Sequence, residues 1–207
     1  MFVSKLAKSI LAGMAISLAG VFYLSAENTL IGGALFSIGL LTIYLFDWYL
    51  YTGKCCYVVD NPKNNSLIVL ISFFGNFIGA FLTATILRFS GLHILDTVQE
   101  VVKGKLSYSY LETFILGIFC GVMMCIAVLG YAKQKDDFGR FIIIFLPITT
   151  FIVAHFEHVI ADMFYISLAN AWSLKSVIFI LICGAGNLVG CSIIPMLTKL
   201  TKHEKQH

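Results

Sequence analysis

The sequence predicts an all-α membrane protein of six transmembrane helices, and three observations carry that prediction. Of its 207 residues, 59% are hydrophobic and 12% are charged, with a mean hydropathy of +0.91; soluble domains carry about 25% charged residues. Six apolar segments, at roughly 6–25, 29–50, 66–88, 111–132, 141–168 and 174–198, are long enough to cross hydrocarbon, which takes about 20 helical residues. The polar residues gather between these segments. The chain reads as a single transmembrane domain, 1–207, with halves at about 1–105 and 106–207.

The first segment follows M-F-V-S-K-L-A-K-S-I-L-A-G, where two lysines precede apolar residues as in a signal peptide. No small-x-small cleavage site ends the run and further spans follow, so it is expected to be a retained helix. Y-V-V-D-N-P-K-N-N-S separates spans two and three. The third connection, from Phe89 to Ser107, is long and partly amphipathic, which predicts a short interfacial helix. A-K-Q-K-D-D-F-G-R separates spans four and five, and Pro147 predicts a kink in the fifth. An even number of spans puts both termini on one side. That side holds Lys5, Lys8, Lys54, Lys63, Lys133, Lys135, Arg140, Lys199, Lys202 and Lys205, against Arg88, Lys103, Lys105 and Lys175 on the other. Ten against four places both termini in the cytoplasm by the positive-inside rule, with the plasma membrane as the expected location.

The most informative stretch is Ala154–Met163, A-H-F-E-H-V-I-A-D-M, which sets His155, Glu157, His158 and Asp162 within an apolar span. Each ionisable group there costs at least ~2.5–3.5 kcal/mol on insertion scales, so such residues mark pathways or proton relays. A second pattern links the halves: G-N-F-I-G-A at 75–80 and G-N-L-V-G-C at 186–191, offset by 111 residues, with Asn76 and Asn187 in matching places. Three spans per copy make the second enter the membrane inverted. Glycines four apart let helices approach closely. The same offset moves Asp47–Lys54, D-W-Y-L-Y-T-G-K, onto His158–Tyr165. Thr52-Gly53 and Ala161-Asp162 are then the expected unwound points, since Gly and Asp favour non-helical backbone.

These residues resemble the formate/nitrite transporter family. A-K-S-I-L-A-G is similar to its first helix, and L-Y-T-G at 50–53 to the end of its G-A-E-L-F-T-G signature. G-I-F-C-G-V-M-M-C-I-A at 117–127 is similar to its fourth helix, with Gly121 where Asn is usual. H-F-E-H-V-I-A-D-M-F at 155–164 is similar to its G-F-E-H-S-x-A-N-M-F, and Arg140 stands where Lys is usual. The resemblance implies a homopentamer with one pore per protomer. Each protomer would be an aquaporin-like 3+3 inverted repeat with broken second and fifth helices. It implies that His158 is the central pore histidine between apolar constrictions, that Thr52 faces it from the opposing loop, and that Glu157 bonds the broken backbone. A large N-terminal gate is not expected, since about five residues precede the first span.

The departures concern the solute. Asp162 replaces Asn, His155 replaces Gly, Lys54 follows T-G, and Asp47, Trp48 and Tyr49 replace a small-small-acidic run. On helical spacing 155, 158 and 162 share one face and Glu157 points elsewhere. Asp162 pairs with Lys54 or His155 in one reading, leaving the pore's charge nearly unchanged. In another, the extra carboxylates turn selectivity toward ammonium or a neutral solute. A metal site from His155, His158 and Asp162 with Cys55-Cys56 nearby is disfavoured, because no further soft ligands cluster. The six cysteines read as buried small hydrophobes. No nucleophile–base pair or phosphate loop argues for an enzyme, and a net charge of +3 without a basic cluster gives no nucleic-acid surface. The resemblance therefore implies a channel for a small monovalent solute, formate, nitrite or hydrosulfide class first, with proton linkage at His158, in a lipid bilayer and without a cofactor. A weak acid suits this pore because its neutral form escapes the desolvation cost of the bare anion, and histidine titrates near physiological pH.

Overall fold

A computed structural model describes residues 2–203. Lys205, counted above for orientation, and the side chain of Lys202 lie outside what it describes. Among the described residues there are nine helices: α1 Phe2–Ser25, α2 Thr29–Leu45, α3 Tyr51–Cys55, α4 Pro62–Leu87, α5 Leu95–Lys105, α6 Tyr110–Lys133, α7 Asp137–Val153, α8 Val159–Leu168 and α9 Leu174–His203. By length and composition α1, α4, α6 and α9 are able to cross a membrane. The two remaining apolar segments are each divided between two helices, α2 with α3 and α7 with α8.

Local chemistry sets the helix ends. Asn28, Asn61 and Asp136 cap α2, α4 and α7 through side-chain oxygens, and Ser109 forms a capping box with Glu112 at α6. The interruptions are not where glycine placed them. Thr52 and Gly53 are helical in α3, and Ala161 and Asp162 are helical in α8. The chain leaves its helices instead at Asp47 and His155, whose φ angles are 51° and 54°. Trp48 N donates to Ile43 O and Phe156 N to Phe151 O, the six-to-one bond of a Schellman ending. Asn170 (φ 53°) ends α8 the same way, with Ala171 N on Ile166 O. Asn, Asp and His enter the left-handed region more readily than most residues, which is why an Asp, a His and an Asn make these turns. Helix α7 runs on through Pro147.

The predicted third-connection helix is α5, with Val98 and Val102 buried. Helix α1 packs on α4, and α6 on α9, through glycines. A Cβ on Gly79 would collide with the Ile10 carbonyl, and one on Gly190 with the Ile118 carbonyl, so backbone meets backbone at both crossings. The core between them is apolar, with Phe36, Phe151, Phe164 and Phe179 among its largest fully buried side chains.

Gly190→Ala is expected to lower the thermal stability of the detergent-solubilised protein, because overpacking costs about 1–3 kcal/mol. Gly53→Ala, whose added Cβ would meet nothing nearer than 3.8 Å, should leave stability unchanged or raise it by roughly 0.4–1 kcal/mol. Equal melting temperatures for the two variants would contradict the crossing geometry.

Candidate functional site

Two buried asparagines hold the two interruptions. Asn76, on α4, accepts from Tyr51 N at 2.8 Å and donates to Tyr49 O at 2.9 Å and Ser9 O at 2.7 Å. Asn187, on α9, accepts from Val159 N at 3.0 Å and donates to Glu157 O at 2.8 Å and Gly117 O at 2.9 Å. Each amide thus satisfies the first N–H of a short helix, the carbonyl two residues before it, and one carbonyl of a neighbouring long helix. The residue between the clamped groups is Leu50 in one case and His158 in the other. The 111-residue offset set Asp47 against His158; through these bonds Tyr49 and Tyr51 stand against Glu157 and Val159, an offset of 108. The three-residue difference is absorbed between the short helices and the asparagine-bearing ones.

His158 is the N-cap of α8. Its Nδ1 accepts from Ala161 N at 3.3 Å, and its Nε2 lies 3.1 Å from Thr52 Oγ1. A ring that accepts from a backbone N–H at Nδ1 carries its proton on Nε2, so the Nε2–H donates to Thr52. Both residues are buried, and the Phe151 ring stacks on the imidazole with centroids 5.9 Å apart. Behind Thr52, the Cys56 thiol donates to its carbonyl at 3.3 Å, and Cys191 Sγ lies 3.4 Å from that carbonyl and 3.3 Å from Gly121 O.

The carboxylates pair with a lysine that sequence reading left among the loop charges. Lys105 Nζ bonds Glu157 Oε2 and lies 2.9 Å from Asp162 Oδ1. Asp162 therefore pairs with neither Lys54 nor His155. Glu157 spends its carboxylate on Lys105, and Asn187 rather than the Glu157 side chain bonds the interrupted backbone. Cys183 Sγ lies 3.4 Å from both Glu157 O and Asp162 Oδ2, and its single S–H serves one of them at a time. Glu157 and Asp162 are buried, whereas His155 is exposed beyond the left-handed turn and shares no helical face with His158 and Asp162.

The remaining candidates lie at the ends of the molecule. Asp47 forms an exposed pair with Lys8 at 2.6 Å. Lys54 Nζ sits 3.9 Å from the Tyr49 ring centroid. Arg140, half-exposed at the start of α7, reaches Gln134 O at 3.2 Å and Asp137 at 3.5 Å. Two cavities open from opposite ends. One, of about 250 Å³, is lined by Tyr23, Lys105, His155, Glu157, His158 and Asp162, among others. The other, of about 230 Å³, is lined by Asp47, Leu50, Gly53, Lys54 and Tyr57 with three further residues, none shared with the first. Lys8, paired to Asp47 at the second cavity, and Tyr23, lining the first, are fifteen residues apart on α1, about 22 Å along the helix axis. The Thr52–His158 bond stands between them. Among the described residues no three His, Cys, Asp or Glu side chains converge to hold a metal ion.

Sequence reading missed Lys105, Tyr165 and Cys183. Lys105 ends an amphipathic helix and lies 52 residues from Glu157, and no local pattern announces that pairing.

The sequence model of the formate/nitrite transporter family matches residues 2–201. The chain is 29% identical over 181 residues to the formate channel FocA of Haemophilus influenzae and 28% identical over 180 residues to that of Escherichia coli K12. These matches cover 75% and 76% of this chain but 62% and 63% of the relatives, so the chain spans less than two thirds of their length. It is 28% identical over 200 residues to the formate-nitrite transporter of Plasmodium knowlesi, covering 80% of this chain and 64% of that one. The fold is shared with a solved pentameric formate channel with formate bound, at a TM-score of 0.83 and 21% identity, covering 98% of this chain and 97% of that one.

Lys105→Met would leave two buried carboxylates without their cation. Breaking such a pair costs about 3–5 kcal/mol, so the variant should melt well below wild type at neutral pH. Adding Asp162→Asn should recover part of the loss. An unchanged melting temperature in the single variant would contradict the pairing.

Proposed function

The chain belongs to the formate/nitrite transporter family, and we propose that it is a multi-pass membrane channel for a small monovalent anion of the formate, nitrite or hydrosulfide class. The observation that carries this is the buried Thr52–His158 bond standing between two cavities at opposite ends of the molecule. An anion displacing that bond meets two donors, the Nε2–H and the Thr52 hydroxyl, in a site otherwise walled by Phe151 and apolar neighbours. The dry passage penalises the bare anion and spares the neutral acid. A neutral imidazole donates a hydrogen bond but keeps its proton, so the anion takes its proton from hydronium of the bulk solution, which leaves water in the vestibule, and His158 orients the anion.

The matching bonds of Asn76 and Asn187 support a 3+3 inverted repeat with interrupted second and fifth segments, its halves at about 1–105 and 106–207. The exposed Leu18, Phe22, Leu70, Phe74, Leu181 and Leu197 supply apolar surface for lipid and for neighbouring copies, and the pentameric formate channel that shares the fold supports a homopentamer. Lys/Arg distribution supports both termini in the cytoplasm and a plasma-membrane location. Asp47 adds nothing to selectivity here, since Lys8 pairs with it at the surface.

Uptake of formate and nitrite into proteoliposomes should rise as external pH falls. His158→Ala removes a hydrogen bond to a charged solute, about 1.5–3 kcal/mol, which corresponds to roughly a 10- to 150-fold loss of flux. Undiminished flux in His158→Ala at every pH would end the histidine's part in the reading.

A further inference from the structure

We infer that the cavity on the Lys105 side binds a small monovalent cation that donates hydrogen bonds, of the ammonium type. The inference uses the vestibule described above but does not depend on which solute crosses the pore. Four charged side chains line this cavity: Glu100, Glu157, Asp162 and Lys105. One ammonium group therefore faces three carboxylates, two of them buried. Excess buried charge of one sign is unfavourable unless a counter-charge joins it, and a lined concavity of one sign concentrates the opposite ion.

A second observation points to a ligand that donates hydrogen bonds. Tyr165 lines the same cavity, is 3% exposed, and its hydroxyl has no hydrogen-bond partner. Asp162 Oδ1 is already met by Lys105 Nζ at 2.9 Å, so the Tyr165 hydroxyl is the unfilled group here. A buried hydroxyl thus stands unfilled beside a negative excess. A water would fill the hydroxyl but not offset the charge, whereas an ammonium ion does both. The rings of Tyr23 and Tyr108 also line the space, and aromatic faces favour cations. The Tyr165 ring already has a cation near it, with Lys105 Nζ 5.8 Å from its centroid. Asp162 is the residue that tips the balance: with Asn there, Glu157 and Lys105 would neutralise each other and only the exposed Glu100 would remain.

The test is thermal unfolding of the full chain in detergent at fixed pH and ionic strength, titrating ammonium chloride against potassium chloride and choline chloride. Ammonium should raise the melting temperature saturably, and the other two should not. Asp162→Asn should abolish the rise, and Tyr165→Phe should increase the half-saturating concentration several-fold. An ammonium effect equal to that of potassium, or one that survives Asp162→Asn, overturns the assignment, as does a stability that follows pH but not ammonium. Formate uptake in proteoliposomes from the same preparation reports separately. Normal uptake with no ammonium effect overturns the cation site alone; an ammonium effect without anion uptake upholds the site and overturns the anion reading.

Discussion

A helix interrupted at membrane depth exposes peptide groups that water cannot reach, and each one left unsatisfied costs several kcal/mol. This constraint organises the protein. Asn76 and Asn187 each present one acceptor and two donors, and an interruption flanked by a short helix offers one free N–H and one free carbonyl on either side of a single residue. The third bond of each amide goes to a long helix, Ser9 O on α1 or Gly117 O on α6. The asparagines therefore tie four elements together at each site. They reach only because the glycine crossings bring α4 onto α1 and α9 onto α6 at backbone contact. Small residues at the crossings, close helices, satisfied backbone and a rigid site form one chain of dependence.

The clamped residue inherits the consequences. At one interruption it is Leu50, apolar and buried; at the other it is His158, whose ring turns back to cap its own helix. Capping through Nδ1 fixes the ring's orientation, which turns Nε2 to Thr52, and its tautomer, which makes that nitrogen the donor. The Schellman turns at Asp47 and His155 deliver the chain into these positions, and the two turn residues face opposite ends of the molecule. One end carries Lys54 with a neutralised Lys8–Asp47 pair, and the other carries a carboxylate excess around Lys105. The two mouths thus differ in charge, although the framework beneath them makes matching sets of bonds.

Much of this was legible in the residues. Composition and the apolar runs determined a multi-pass membrane protein, the ionisable residues of Ala154–Met163 pointed to the candidate site, the Gly-Asn-x-x-Gly pairs marked the two crossings, and the ordered motifs determined the family. These signals are local, or repeat at a fixed spacing, so a sequence displays them. Tertiary structure alone decided the partners. Glu157 and Asp162 draw Lys105 across 52 and 57 residues of sequence, because α5 folds back over α8, and nothing in either segment encodes that return. The interruptions fell at left-handed Asp47 and His155 rather than at Gly53, because helix termination here depends on which residue accepts the turn while the asparagine behind it takes the freed peptide groups. Sequence determined which residues are costly in a membrane; only the assembled fold decided which neighbour offsets each cost, since that neighbour arrives from a distant part of the chain.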